Sequence, residues 1–388
     1  MERVDVAVVG AGPVGLTLGA RLGSRGLRVG LIDPQPAAVL AAPLPDGREI
    51  ALNHASRAGL LQAGIWSRLD PAAVWPLQQA CVRDRHLPFA LDVETATGAD
   101  EPLGWLVANW RLRQAAWEAA TAMADCRVLD GRAVQGVFRS RVGWELALSD
   151  GSRLEADVVI AADSRFSAAR RLLGVGAHQH EDGTAMVVRP VSLERDHHHR
   201  AWQWFGNGVT RALLPLGPCQ ASAVLTLPAV QARALMALDD EAWSNRVSGV
   251  FEHRWGRMQP LGNGHCHPMV MVLVHRFAGP GLALAGDAAV GMHPVTAHGF
   301  NLGVRSAVGL AGVLAAGGTA GERDRALQAW GAGHRRAVLP LYAATRLVAG
   351  LYGNNALPAR VVRGGALALA AGLPAFRQRL RDHLTATG

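Results

Sequence analysis

Short apolar runs alternating with helical patterns set the first part of the chain. Residues 5–9 (DVAVV) are β-branched and apolar without alternation, the pattern of a strand buried on both faces. Residues 10–15 (GAGPVG) turn into a helix-spaced run through Leu22, and residues 28–32 return as a second strand closed by Asp33. Strand, glycine turn, helix and strand make a βαβ unit and predict a parallel sheet. The buried-strand pattern recurs at 154–162 and again at 282–285 (LALA), just before Gly286-Asp287. Residues 109–122 (NWRLRQAAWEAATA) predict a helix, and 134–148 a hairpin with Trp144 on one face. From 186 to 227 the character changes to short strands between Gly, Pro and Asp turns, which predicts an antiparallel sheet. Helical patterns return at 305–314, from Asp324 onward, and at 340–351 and 358–385, where Ala/Leu-rich stretches carry arginines.

The turn at 10–15 reads G-x-G-x-x-G, with an acid 18 residues after its last glycine. Gly10 permits the tight turn, Gly12 lets a pyrophosphate approach the backbone, and Gly15 lets helix and strand pack closely. Asp33 stands where a ribose hydroxyl is bound. This unit predicts a dinucleotide and does not separate FAD from NAD. Further on, a strand, an acidic turn at Asp287, a glycine-containing loop and a helix follow one another from 282 to 307. That order aims free backbone N–H groups at one point, where a helix N-terminus favours negative charge.

The residues Gly286, Asp287, Ala288, Ala289, His293, Pro294, Gly299, Asn301, Leu302 and Gly303 resemble the flavin-ring motif of the aromatic-ring hydroxylases. Ala297-His298 departs from it, since a glycine and a glutamine are usual there. Residues 162–170 (ADSRFSAAR) resemble the second FAD motif of the same family, keeping Asp163, Ser167 and Arg170 with Ser164 in place of a glycine. Arg48, Asn109 and Arg113 fall where family members touch FAD. Three ordered nucleotide motifs favour FAD over NAD. The resemblance implies an α/β fold, p-hydroxybenzoate hydroxylase-like: a Rossmann-like FAD-binding domain, an inserted antiparallel-sheet substrate domain and a C-terminal helical segment. The expected division is FAD-binding segments 1–75, 106–180 and 276–335, substrate segments 76–105 and 181–275, and helices over 336–388.

The residues 197–205 (HHHRAWQWF) and 293–301 (HPVTAHGFN) resemble the ubiquinone-biosynthesis hydroxylases within that family. The resemblance implies FAD, with NADH or NADPH as electron donor. It also implies O2 as co-substrate and hydroxylation of a prenylated phenol or quinone precursor through a flavin C4a-hydroperoxide. Backbone N–H groups at Gly299, Phe300 and Asn301 would border the flavin pyrimidine, and Pro294 would keep the ring's surroundings apolar. His293 and His298 are the candidate proton-transfer groups. Trp202-Gln203-Trp204 is similar to the W-x-W of flavin-dependent halogenases, which use a lysine that this chain lacks. A flavin reductase, a monooxygenase or epoxidase of another aromatic or isoprenoid metabolite, and a catalytically silent flavin scaffold are the other readings.

Composition narrows the rest. The chain has 388 residues, 49% of them apolar, enough for a large core and two domains. Its net charge is +8, all 39 basic residues are arginines, and no basic tract is interleaved with aromatics, so no nucleic-acid partner is expected. Four scattered cysteines imply neither a disulfide framework nor zinc and fit a reducing cytoplasm. His197-His198-His199, read as consecutive strand residues, point to alternate faces and predict no metal site. The glycine spacing near the N-terminus argues against a signal peptide, and no run is long enough to span a bilayer. Arginines between apolar stretches in 340–388 predict a peripheral contact with an anionic membrane, alongside other quinone-biosynthesis proteins.

Overall fold

In a computed structural model the chain is described at residues 2–84, 90–95, 101–141, 143–206, 209–294, 298–353 and 378. Among these residues it forms three sheets. The first is built on Glu2–Val9 (β1), Val29–Ile32 (β2), Cys126–Leu129 (β8), Arg153–Ala161 (β11) and Leu282–Leu284 (β19). These run parallel, and Ala278–Gly279 (β18) closes the order β18-β19-β11-β1-β2-β8. Val6, Val8, Val158 and Ile160 are all but inaccessible to solvent, which is why these strands show no polar alternation. The hairpin Val134–Arg139 (β9) and Trp144–Leu148 (β10) hangs on the start of β11. Trp144 Nε1 fixes it by donating to the Gly281 carbonyl at 2.6 Å.

The second sheet has the order β20-β17-β12-β15-β14-β13-β5-β6. Its strands are Gln79–Asp84 (β5), Ala90–Glu94 (β6), Ala177–Ser192 (β12), Arg200–Gly206 (β13), Val209–Gly217 (β14), Gln220–Pro228 (β15), His265–Val274 (β17) and Val290–Gly291 (β20). Gln259–Pro260 (β16) joins β12. The pairs are antiparallel except β13 with β5, which run parallel. Its outer face is filled by Trp202, Trp243, Trp255 and Phe251 beneath Ala229–Met236 (α6) and Asp240–Val250 (α7). The third sheet is Glu49–Leu52 (β3), Gly104–Ala108 (β7) and Val74–Leu77 (β4); it packs on the core of the first sheet and touches β14 of the second.

The helices on the first sheet are Pro13–Gly23 (α1), Ala37–Ala41 (α2), His54–Gln62 (α3), Asn109–Thr121 (α4), Ala168–Leu172 (α5), Gly299–Ala315 (α8) and Ala320–Gly353 (α9). Helix α1 packs on α4 and α8, burying Leu16, Leu18 and Leu22.

Two expectations are corrected. His197–His199 do not lie on a strand: His198 and His199 take φ of 54° and 53° in a turn before β13. Buried His197 closes that turn, its Nε2 shared between the Gly217 and Gln220 carbonyls at 2.7 and 3.0 Å. Nor does a new helix begin at Pro340, because α9 runs through it. An interior proline costs ~3 kcal/mol or more. Val338 and Tyr342, buried in the core beside it, contribute roughly 1.5–3 kcal/mol each and outweigh that cost. The pattern at 358–385 lies outside the described residues but for 378.

His334 anchors α9 by stacking on Trp330 at 5.1 Å and meeting Phe277 edge-on. Burial and the nearby Arg305 push its pKa down to about 4 from the usual 6.5. The unfolded chain therefore takes up this proton first, and stability falls as pH drops from 6.5 toward 4, by up to roughly 3 kcal/mol. Thermal melts of His334→Gln across that window should lose this part of the acid sensitivity.

Candidate functional site

Three stretches far apart in sequence meet at the start of α1. Gly10 has φ of 110°, and a Cβ there would lie 2.5 Å from Asp163 Cα and 2.6 Å from the Ala162 carbonyl. A Cβ on Gly15 would fall 1.9 Å from the Gly10 carbonyl. Val14 stands against Gly286 and Gly303, where added Cβ atoms would come within 3.2 and 2.6 Å of it. Each approach is open only to glycine. The turn at Gly10, the Ala162-Asp163 turn and the Gly286-to-Gly303 loop thus form one surface.

That surface has an open end. Gly12 is the N-cap of α1, without a side-chain cap, and a Cβ on it would meet nothing within 4 Å. Helix α8 starts after His298, again with no side-chain cap. Two uncapped helix N-termini beside an empty glycine cradle suit a pyrophosphate and a second electron-rich group. The residues fit FAD.

The predicted ligands are placed as follows. Asp33 accepts from the Ala11 amide at 2.8 Å and the Gln35 amide at 2.9 Å, holding the glycine turn against β2. Arg113 reaches the Gln35 side chain at 3.3 Å. Arg48 pairs with Asp46 at 2.5 Å, and Asn109 Nδ2 donates to the same carboxylate at 2.8 Å. Asp163 accepts from the Ser167 hydroxyl and the Ala169 amide, which makes it a brace for the start of α5. Buried Arg170 donates to the Ala288 carbonyl at 3.1 Å and ties that turn to the Asp287 loop. Asp287 is held by Arg165 at 2.9 Å. Asn301 pins the start of α8 to the third sheet, taking the Asn53 amide at 3.1 Å and giving to the Ala51 carbonyl at 2.8 Å. Gly299 and Phe300 form the first turn of α8, and Pro294 is exposed.

Of the two proton-transfer candidates, His293 is buried, and burial lowers its pKa against the opposing pull of Asp182. His298 is half-buried at the start of α8. Ala297 lies outside the described residues, so the departure there has no structural account. Among the described residues no group of three potential ligands could hold a metal ion.

Four residues were missed in the sequence: Gln35, Asp46, Arg165 and Glu49. Burial works against the Asp46 carboxylate, but Arg48 and Asn109 outweigh it and hold its pKa below the ordinary range. Glu49 goes the other way: burial and the Asp46 charge push it up to about 8, against the pull of Arg111. An acid opening an otherwise apolar strand, E-I-A-L, was the available signal.

With this geometry in view, comparison with known proteins is direct. The family model described as an FAD-binding domain matches residues 3–338. The chain belongs to that family. It is 35% identical to the ubiquinone hydroxylase UbiM of Neisseria meningitidis, over 98% of this chain and 84% of that protein. It is 31% identical to the ubiquinone hydroxylase UbiL of Rhodospirillum rubrum, over 92% of this chain and 84% of that one. Among solved structures, p-nitrophenol 4-monooxygenase PnpA from Pseudomonas putida superposes with a TM-score of 0.77 at 18% identity, covering 98% and 97% of the two chains. PqsL, a probable FAD-dependent monooxygenase from Pseudomonas aeruginosa, gives 0.72 at 22%, covering 91% and 97%. The family member's α/β fold, with an FAD-binding domain and an antiparallel second sheet, is the one expected from the sequence.

Gly12 and Gly15 separate binding from folding. Gly15→Ala should lower apoprotein stability by about 1–3 kcal/mol, since its Cβ meets backbone. Gly12→Val should melt within about 1 kcal/mol of wild type yet bind FAD at least roughly tenfold more weakly, because the side chain fills the cradle. Calorimetry of the apoprotein and flavin titration by fluorescence quenching read the two effects.

Proposed function

We propose that this FAD-dependent monooxygenase hydroxylates the aromatic ring of a prenylated phenol on the route to ubiquinone. The single observation that carries this reading is the convergence of the three motifs on one glycine-lined surface, within a chain related along almost its whole length to ubiquinone hydroxylases. FAD, when bound, supplies the activation of O2, with NADH or NADPH as the proposed source of electrons.

The protein's own part is binding, orientation and exclusion of water. The Gly12 end of α1 receives the pyrophosphate, and Asp33 presents a carboxylate whose oxygens can also accept from a ribose. Asp287, held by Arg165, offers an acceptor to the ribityl chain. Arg48, in the loop before β3, and Asn109 and Arg113, on α4, are the further proposed contacts to FAD. The uncapped start of α8 favours negative charge at the flavin pyrimidine. His293, whose pKa burial lowers, is the proposed proton-transfer group.

In cells blocked at each hydroxylation of quinone synthesis in turn, expression of this chain should remove the accumulated intermediate of at least one block. Purified protein should consume O2 rapidly only when a phenol is added. Flavin oxidation that ignores every phenol would instead favour the silent scaffold.

No helix among the described residues is long and apolar enough to cross a membrane. The peripheral contact is proposed from the sequence of 340–388, with Arg346, Arg360, Arg363, Arg377, Arg379 and Arg381 against the single acid Asp382. Each arginine near an anionic surface contributes roughly 1 kcal/mol. Replacing Arg377, Arg379 and Arg381 by glutamine should weaken flotation with anionic liposomes while FAD stays bound, and salt should weaken flotation of the wild type. Equal flotation of the triple variant would place any membrane contact elsewhere.

A further inference from the structure

The third sheet has two unlike faces. Ile50, Leu52, Val74 and Val107 pack into the core of the FAD-binding region. Alternation then turns Glu49, Ala51, Leu106, Ala108 and Trp75 to the other side, and the register confirms the grouping by setting Glu49 opposite Ala108, and Leu106 opposite both Ala51 and Trp75. This second face looks at the large antiparallel sheet. A Cβ on Gly217 of β14 would lie 3.4 Å from the Trp75 ring, and one on Gly47 would lie 2.8 Å from Val188 and 2.9 Å from His265. The Ala51 carbonyl on this strand is bonded to Asn301 at the start of α8. Glu49 therefore lies on the face of the third sheet that meets the large sheet, two residues from Ala51, whose carbonyl anchors the flavin-motif loop.

Its carboxyl is unusual among the acids here. Asp46 next to it holds Arg48 and Asn109. Glu49 makes no hydrogen bond and no ion pair among the described residues, although it is partly exposed. An unpaired carboxyl between packed sheets is costly unless it is neutral or receives a partner.

We propose that Glu49 is the base that takes the phenolic proton of the substrate, an inference that rests on the functional reading above. The phenol O–H bond breaks and a carboxyl O–H bond forms. The electron pair left on the ring oxygen raises electron density at the ortho and para carbons, where the ring must accept an electrophilic oxygen. The proton passes from the carboxyl to solvent once product has gone.

The electrostatic surroundings suit the task. Burial and Asp46 favour the protonated form and Arg111 on α4 the charged one, so the group titrates near 8, close to working pH. Arg48 is paired with Asp46 in the preceding loop. From β17, His265 lies against Gly47, and His267 is bonded to the Asp46 carbonyl at 3.1 Å, with burial lowering its pKa. β4 and β7 bring no titratable side chain. Arg211 of β14 turns away to Glu252, and Arg305 of α8 acts on His334.

A base must be deprotonated, so the hydroxylation rate of the wild-type holoenzyme should climb with pH and level off above about 8. Glu49→Gln should keep its flavin, lose roughly 10²–10⁴-fold in rate and lose this limb, while Glu49→Asp should retain a limb. Infrared difference spectra between wild type and Glu49→Gln supply a readout independent of turnover. They should show a protonated-carboxyl C=O band that bleaches through pH 8 and shifts when 4-nitrophenol is added. An unchanged pH limb in Glu49→Gln overturns the proposal, as does loss of bound FAD or a carboxyl band indifferent to 4-nitrophenol. Wild-type protein that hydroxylates no phenol overturns the functional reading instead, and the response of the band to 4-nitrophenol then still decides whether Glu49 meets a phenol.

Discussion

Backbone contact at the Gly10 turn is the constraint on which the molecule depends. With Gly15 against the Gly10 carbonyl and Gly10 against Ala162 and Asp163, the first helix sits lower on the sheet than any side chain there would allow. That closeness lets Val14 reach Gly286 and Gly303, so that the acidic loop and α8 can be seated at all. The N-termini of α1 and α8, each without a side-chain cap from its own N-cap residue, open on this same surface.

Charged side chains then connect this centre to the rest. Arg165 and Arg170 run from the Ala162-Asp163 turn to Asp287, to the Ala288 carbonyl and, at 3.2 Å, to the Val270 carbonyl of the large sheet. Asp46 joins the loop before β3 to α4, and its carbonyl meets His267 of β17. Both tethers cross from the parallel sheet to the antiparallel one, so that the cleft between them has fixed walls. Charge-assisted hydrogen bonds suit this because they hold direction as well as distance. Among the described residues Glu49 has no such partner.

Much of this was legible from periodicity and spacing. The apolar runs at 5–9, 154–162 and 282–285 became β1, β11 and β19, and the helix at 109–122 became α4 with its end one residue earlier. Where the sequence misled, a local rule met a stronger packing term. Pro340 ordinarily ends or starts a helix, yet the burial of Val338 and Tyr342 carried α9 through it. The three histidines at 197–199 have no local feature forbidding a strand, and it was the pair of carbonyls captured by His197 that folded them into a turn.

The sequence by itself determined the parallel dinucleotide-binding unit and its glycines, because those follow from local geometry: strand length, helical period and the positions where a Cβ cannot fit. It also carried the family through motifs whose spacing repeats that geometry. Only the tertiary structure decided which charges find partners. Asp33, Asp163 and Asp287 look alike as acids at strand ends, but one braces a glycine turn, one holds the Ser167 cap of a short helix and one is paired to an arginine 122 residues away. Glu49 reads as one acid among many until three sheets meet around it, since desolvation and the reach of neighbouring charges are properties of the assembled fold, which no window of the chain contains.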